Sequence, residues 1–301
     1  MRANSATRDT RVTETGPERS STTITVVLAC HNRREKTLAC LRAVAGQVLN
    51  PSVACSIVLL DDGSTDGTVQ AVRGEFPRVR IIVGNGDLFW CRGMHVALRE
   101  ATRTRPDFLL WINDDTLLYS DALARMLATS DGLAQPGIVV GSTVDPTDGR
   151  PSYGGMVRAG SGSFSFTLVE PDATRALRCD TINGNCVLVP RLVYERIGNL
   201  DPRFVHAMGD FDYGLRSRRH GFGVWICPGA IGNCARNALS RTWRDTSLGL
   251  RERLRKVLHL KGLPPSQWVH MTVRHGGLLG PVHFLAPYAK VLWQAFAQER
   301  V

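Results

Sequence analysis

The feature that most restricts how this chain can fold is a rhythm in its N-terminal part, where short β-branched or aliphatic runs alternate with helix-length amphipathic segments. Runs at Ile24–Ala29, Ser56–Leu60, Val79–Val83 and Phe108–Ile112 read as strands, and 35–47, 67–73 and 92–102 as helices. Strands separated by helices require right-handed crossovers. The expected fold class is therefore α/β, a mostly parallel twisted sheet flanked by helices. Ligands of such sheets lie beyond the carboxyl ends of the strands. The segments there are His31-Asn32-Arg33, Asp61-Asp62-Gly63-Ser64-Thr65-Asp66-Gly67, Gly84-Asn85-Gly86-Asp87 and Asn113-Asp114-Asp115. All are polar and three are acidic.

The rhythm breaks over 137–190, where Gly137–Thr143 and Cys186–Val189 read as strands and the Gly/Ser/Pro-rich stretch between them as hairpins and a mobile loop. A helix near Leu192–Ile197, an acidic patch at 206–212 leading into a helix to about Arg219, and a strand Val224–Ile226 follow. Beyond 240 the pattern is helical, broken by Pro264-Pro265, Gly276-Gly277 and Pro281. We therefore expect a flexible leader over 1–20, a domain over 21–240 and a helical extension over 241–301. Neither a membrane-length apolar stretch nor a secretory signal is evident, so a cytoplasmic location is expected. The eight cysteines include no CxxC pair and are read as free, mostly buried thiols.

Charge is unevenly placed. Residues 236–301 carry 11 Lys and Arg against 3 Asp and Glu, whereas 21–235 carry 22 against 21. The basicity belongs to the C-terminal part and suggests a surface that meets anionic lipid, pyrophosphate or an acidic glycan.

Several motifs bear on chemistry. The Asp61–Gly67 segment imitates a calcium loop, but the twelfth position counted from Asp62 is Arg73, where a bidentate Glu is needed. A carboxylate there is better suited to accept the imide N–H of uracil or thymine, while Asp66 caps the next helix. Gly84-Asn85-Gly86 lacks the third glycine of a dinucleotide fingerprint, with Phe89 in its place, and no GxxxxGK[ST] loop occurs. Adjacent carboxylates at Asp114 and Asp115, directly after an apolar run, call for a cation or for ribose hydroxyls. A shared Mg²⁺ or Mn²⁺ with a diphosphate would meet that need. Asp210 and Asp212, at i and i+2, do not share a helix face, so at most one can serve a pocket as a general base; ordinary first-turn acids are the competing explanation. Among the eight histidines no HExxH pairing exists, and His206, four residues before Asp210, is the one nearest the acidic patch.

Taken together, "TVVLACHNR", "IVLLDDGSTDGT", "GNGDLFWCRGMHVAL", "LLWINDDT" and "GDFDYGLRSRRHG" resemble family 2 glycosyltransferases of bacterial polysaccharide and cell-envelope assembly, rhamnosyltransferase-like, over residues 23–240. The resemblance implies a GT-A (Rossmann-like) fold and inverting transfer of a sugar from a nucleoside diphosphate sugar to an acceptor hydroxyl. It implies that Ala29, His31, Asn32, Asp61 and Asp62, with Asn85 and Gly86, hold the nucleotide. Asp114 falls near the ribose, Asp115 on a divalent metal, and Asp210 matches the base. Trp90, Arg92, Gly93, Asn183, Gly184, His206 and Asp212 are expected around the donor and acceptor. The chain departs from the family pattern at Asn113, at Gly209, and at 232–237, where relatives place a metal-binding His and this chain reads Gly-Asn-Cys-Ala-Arg-Asn.

The basic C-terminal part fits an acceptor carried on undecaprenyl pyrophosphate at the inner membrane face. Leu248–Leu260 reads as a basic helix with leucines on one side, and Trp268, Tyr288 and Trp293 as interfacial aromatics. Two other classes compete. A nucleotidyltransferase would show a basic glycine-rich stretch after the first strand, where this chain has Ala29–Arg34. A non-enzymatic polyanion binder would interleave aromatics with its basic residues, and acidic strand ends would repel nucleic acid.

Overall fold

The computed structural model describes residues 21–160, 163–237 and 242–298; the expected leader over 1–20 lies outside them. Along the chain the elements are β1 (Thr22–Cys30), α1 (Arg34–Ala45), β2 (Val53–Asp61), α2 (Thr68–Glu75), β3 (Arg80–Val83), α3 (Phe89–Ala101), β4 (Phe108–Ile112), β5 (Leu117–Leu118) and α4 (Ala122–Asp131). There follow β6 (Gly137–Val144), β7 (Pro151–Tyr153), β8 (Gly155–Arg158), β9 (Phe166–Leu168), β10 (Leu177–Arg178), β11 (Thr181–Ile182), β12 (Cys186–Pro190), α5 (Arg191–Ile197), α6 (Gly209–Arg219) and β13 (Gly223–Asn233). The C-terminal part is helical: α7 (Leu250–Leu258), α8 (Pro265–His275) and α9 (Gly280–Gln298).

The sheet runs β10-β13-β6-β12-β4-β1-β2-β3. β3, β2, β1 and β4 are parallel, as the strand–helix alternation requires, and β6 is parallel to β13. β12 runs antiparallel between β4 and β6. A small second sheet, β11-β8-β9, forms from the Gly/Ser/Pro-rich stretch.

Alternate residues of β1 serve two cores, which is why its sequence is almost continuously apolar. Ile24, Val26, Leu28 and Cys30 join Leu38 and Leu41 of α1 and Leu123 and Met126 of α4. Val27 and Ala29 face the opposite side with Met94, Ala97 and Leu98 of α3. Gly93 lets α3 lie that close, since a Cβ there would stand 2.9 Å from Leu60 Cδ2 and 3.4 Å from the Ala29 Cβ. Gly93, expected around the donor and acceptor, is a contact point between helix and sheet.

The helices α8 and α9 pack through Trp268 and Met271, with Phe284 and Tyr288, against Cys91, Phe204, Met208 and Leu215. Trp268 and Tyr288, expected at a membrane interface, are used here: Trp268 is buried and Tyr288 Oη donates to Leu263 O at 2.6 Å. Trp293 is 74% exposed. Seven cysteines are buried, Cys55 is exposed, and all eight are free.

Candidate active site

The carboxyl end of β2 turns sharply at Gly63, whose φ of +69° suits glycine and whose missing Cβ leaves room for Gly86 N, 2.8 Å from where it would be. Asp62 holds the opposing loop. Its Oδ1 accepts from Gly86 N–H at 3.0 Å, and its Oδ2 from Leu88 and Phe89 N–H at 3.0 and 2.9 Å. Asp61 Oδ1 accepts from Ser64 N–H at 2.7 Å. Both side chains are buried, so in this conformation they order the two loops rather than offer a free edge. His31, Asn32 and Asn85 are among the exposed groups at this end. His31 Nδ1 donates to Asp62 O at 2.6 Å, which fixes the tautomer, and Asn32, left-handed at φ 51°, accepts from Thr65 N–H through Oδ1 at 2.8 Å. Asp66 ties the starts of α1 and α2 together, accepting from Arg34 and Thr68 N–H at 2.9 and 3.1 Å.

At the end of β4, one guanidinium meets both acids: Arg33 Nη1 is 3.0 Å from Asp114 Oδ1 and 3.0 Å from Asp115 Oδ2. Lys36 Nζ stands 3.8 Å from Asp115 Oδ2. Burial, with Asp115 alongside, pushes the Asp114 carboxyl up to about 6 against the pull of Arg33. Its Oδ2 is buried without a partner. Cys234, in the stretch where relatives place a histidine, donates its thiol to Asp115 Oδ1 at 3.5 Å; burial and Asp115 hold that thiol up at about 12, so it stays protonated.

A divalent ion can be tested against these groups. Among the described residues no group of three or more His, Cys, Asp or Glu could hold one. The hard oxygens of Asp115 and the unpartnered Oδ2 of Asp114 fit Mg²⁺ or Mn²⁺, which characteristically take one or two carboxylates and complete their shell with phosphate and water. The residues therefore fit an ion that arrives with a diphosphate.

The third cluster lies at the start of β12 and of α6. Because β12 runs antiparallel, the residues before it reach the edge where the parallel strands end. Asn185 O accepts from Asn113 N–H at 3.1 Å, and Gly184 N–H donates to Asp210 Oδ2 at 2.9 Å. The Trp90 ring lies against Gly184: a Cβ there would be 2.4 Å from Cη2 and 2.6 Å from Cζ2. Trp90 Nε1 donates to Asn113 Oδ1 at 2.7 Å. Trp90 thus joins the acidic end of β4 to Asp210. Burial pushes the Asp210 carboxyl up to about 6, and the N–H groups of Gly184 and Phe211 oppose that shift. Asn183 Oδ1 is buried without a partner.

His206 approaches Phe89 edge-on at 6.1 Å. Its Nδ1 is buried and unpartnered, and burial, with Lys261, His259 and Arg33 nearby, holds the ring down to about 4, so it is neutral at pH 7. Arg92 is exposed and donates through Nε to Pro202 O at 3.1 Å.

Asp212 is placed otherwise than the sequence suggests. It is fully buried, with Oδ1 accepting from Arg274 at 2.6 Å and His275 Nε2 at 2.9 Å, and Oδ2 from Arg216 at 2.8 Å. Arg274 also pairs with Asp201 at 2.7 Å. Those bonds use both oxygens, so Asp212 anchors α6 to α8. Arg33, Lys36, Asn185 and Cys234 were not singled out from the sequence; the basic run after β1 was the one available signal for the first two.

The model of the glycosyl transferase family 2 matches residues 25–187. The N-acetylglucosaminyl-diphospho-decaprenol L-rhamnosyltransferase of Mycobacterium tuberculosis, strains CDC 1551 / Oshkosh and ATCC 25618 / H37Rv, is 24% identical over 247 residues, 74% of this chain and 76% of the relative. The mannosyltransferase PcManGT from Pyrobaculum calidifontis, solved with GDP-Man and Mn²⁺, superposes with a TM-score of 0.56 at 17% identity, over 91% of this chain and 73% of that one. GalNAc-T7 with UDP, GalNAc and Mn²⁺ gives 0.58 at 14% identity, over 72% of this chain; the match spans 44% of that longer protein. These likenesses support the GT-A architecture.

Proposed function

The chain belongs to glycosyl transferase family 2 and is a sugar-transferring enzyme, and from that premise we propose inverting transfer from a nucleoside diphosphate sugar to a hydroxyl of a lipid-linked glycan. The observation that carries this is the convergence of two acidic centres, Asp114-Asp115 and the buried Asp210, which is held by the backbone N–H groups of Gly184 and Phe211, through one side chain, Trp90.

In this reading His31, Asn32, Asn85 and the loops ordered by Asp61 and Asp62 bound the nucleotide, and GalNAc-T7, solved with UDP, supports uracil or thymine as the base, read by groups other than those two carboxylates. Asp210 is the general base. Its carboxyl, pushed up to about 6, is mostly ionised at pH 7 yet basic enough to take a proton. The acceptor oxygen attacks the anomeric carbon as Asp210 removes its proton, and the bond to the diphosphate oxygen breaks with its electron pair leaving on the diphosphate. Arg33 and Lys36 hold positive charge where that anion forms. Asp115, with Asp114 Oδ2, would hold Mg²⁺ or Mn²⁺, which when bound neutralises charge on the departing diphosphate. His206 and Asn183, each with a buried unpartnered polar atom, are assigned to the sugar hydroxyls.

The mycobacterial relative supports a polyprenyl-diphosphate acceptor and a hexosyl or deoxyhexosyl donor, and with them contact with a membrane face. The test is a thermal-shift panel of UDP, dTDP, GDP and CMP, each with Mn²⁺, Mg²⁺ or EDTA. Selective stabilisation by a pyrimidine diphosphate is expected, and a saturating ligand at about 100 times its dissociation constant adds about 2.7 kcal/mol. Silence across the panel would overturn the donor assignment.

A further inference from the structure

Helix α9 is apolar on two faces. Phe284, Tyr288 and Val291, spaced i, i+4, i+7, turn toward the protein, and Val291 is fully buried. Val282, Leu285, Ala286, Ala289, Leu292 and Trp293 recur at i, i+3, i+4, i+7, i+10, i+11 and are all exposed, so they form a second stripe that none of the described residues covers. The stripe continues into the preceding turn, where Leu278 is wholly exposed and Leu279 about half so. Scattered surface leucines need no account, but a continuous apolar stripe of this kind marks an interaction surface.

Its surroundings are basic. Between 242 and 294 the chain carries eight Lys and Arg against Asp245 and Glu252, and six of the eight remain once the buried Arg253 and the paired Arg274 are set aside. Lys290 is exposed on α9 itself, and α7 packs on α9 through Arg253 Nη2 donating to Gln294 Oε1 at 2.6 Å. Arg251 and Arg255 on α7, and Lys261 after it, are exposed.

We infer that this face is seated in the headgroup region of an anionic bilayer, with the stripe inserted, Trp293 at the interface and the basic groups on acidic phosphates. The helix lies in the surface and does not cross it: among the described residues none is long and apolar enough to span. Charge argues against a second copy, since the basic groups would face one another. The first twenty residues hold Met1 and Val12 as their only large apolar side chains, a poor chemical match to the stripe. The inference deepens the proposal of a lipid-linked acceptor, and its test reads binding alone, so either can fail without the other.

The full-length protein is sedimented with vesicles of phosphatidylcholine, with and without phosphatidylglycerol. Retention on the anionic vesicles, reversed by salt, is expected, with Leu285→Glu/Trp293→Glu weakening it about tenfold or more. Arg251→Glu/Arg255→Glu should abolish the preference for anionic lipid. Quenching by brominated lipid that is lost in Trp293→Phe checks insertion without a charge in the stripe. Full recovery of the wild-type protein in the supernatant would overturn the inference. So would a concentration-dependent dimer abolished by Leu285→Glu, which would give the face to a second copy.

Discussion

Adding one methyl group at position 184 should test how the site is held together. Gly184 does not adopt a left-handed conformation, so glycine is present for space: its missing Cβ is where the edge of the Trp90 ring lies, 2.4 and 2.6 Å from two ring carbons. In Gly184→Ala the rigid indole must move by about 1 Å to restore contact distance, and forced overpacking of this kind costs about 1–3 kcal/mol. The movement strains or breaks the 2.7 Å bond from Trp90 Nε1 to Asn113, a further loss of about 0.5–1.5 kcal/mol. Reduced freedom of the unfolded chain returns about 0.4–1 kcal/mol. The net expectation is a loss of about 1–3 kcal/mol by urea unfolding, with a raised KM for donor and acceptor because Asn113 and Asp210 lose their common wall. The decisive measurement is a cycle with Trp90→Ala, in whose background the alanine should cost nothing. An equal cost in both backgrounds would refute the steric argument.

Asp210→Asn should lower transfer by about 10²–10⁴ while leaving nucleotide affinity within a few-fold, checked by turnover and by calorimetry with UDP or dTDP. For the wild type, kcat/KM should rise with unit slope up to about pH 6, and a profile flat from pH 5 to 8 would remove Asp210 from the role. Since its native value lies above the unfolded one, its contribution to stability is full below about pH 4 and lost as pH rises through about 6. Arg274→Met should destabilise by about 3–5 kcal/mol by stripping a partner from the buried Asp212 charge, and loss below 1 kcal/mol by chemical denaturation would show that Arg216 and His275 suffice. Titration of Mn²⁺ should give no measurable heat without nucleotide and clear binding with it, abolished by Asp115→Asn; tight binding to the protein alone would contradict the carboxylate-poor site.

The parallel half of the sheet was legible because the period of its apolar residues is the period of the structure: β1, β2, β3 and β4 carry their polar ends where the alternation predicts them. β12 was legible as a strand but not as a reversed one. Its direction brings Asn183, Gly184 and Asn185 to the end of β4, and the bond from Asn113 N–H to Asn185 O depends on that reversed pairing, which no local pattern reports. The i, i+2 spacing of Asp210 and Asp212 says that they diverge. Which of them meets cations is decided by Arg274 and His275, more than sixty residues on, and no local pattern reports that. The C-terminal aromatics carry no mark separating the buried Trp268 from the exposed Trp293 until α8 and α9 fold against each other.

The anchoring of Asp212 by α8 limits how such a chain can be recombined. A hybrid that takes its sheet from one parent and its final helices from another, with the crossover anywhere between α6 and α8, sets Asp212 against residues that did not evolve beside it. The helix that carries Asp210 would then hold, two positions away, a buried carboxylate left with Arg216 after losing Arg274 and His275. Exchange of the C-terminal segment should succeed only where Arg274 and His275 travel with α6 or are rebuilt after the join.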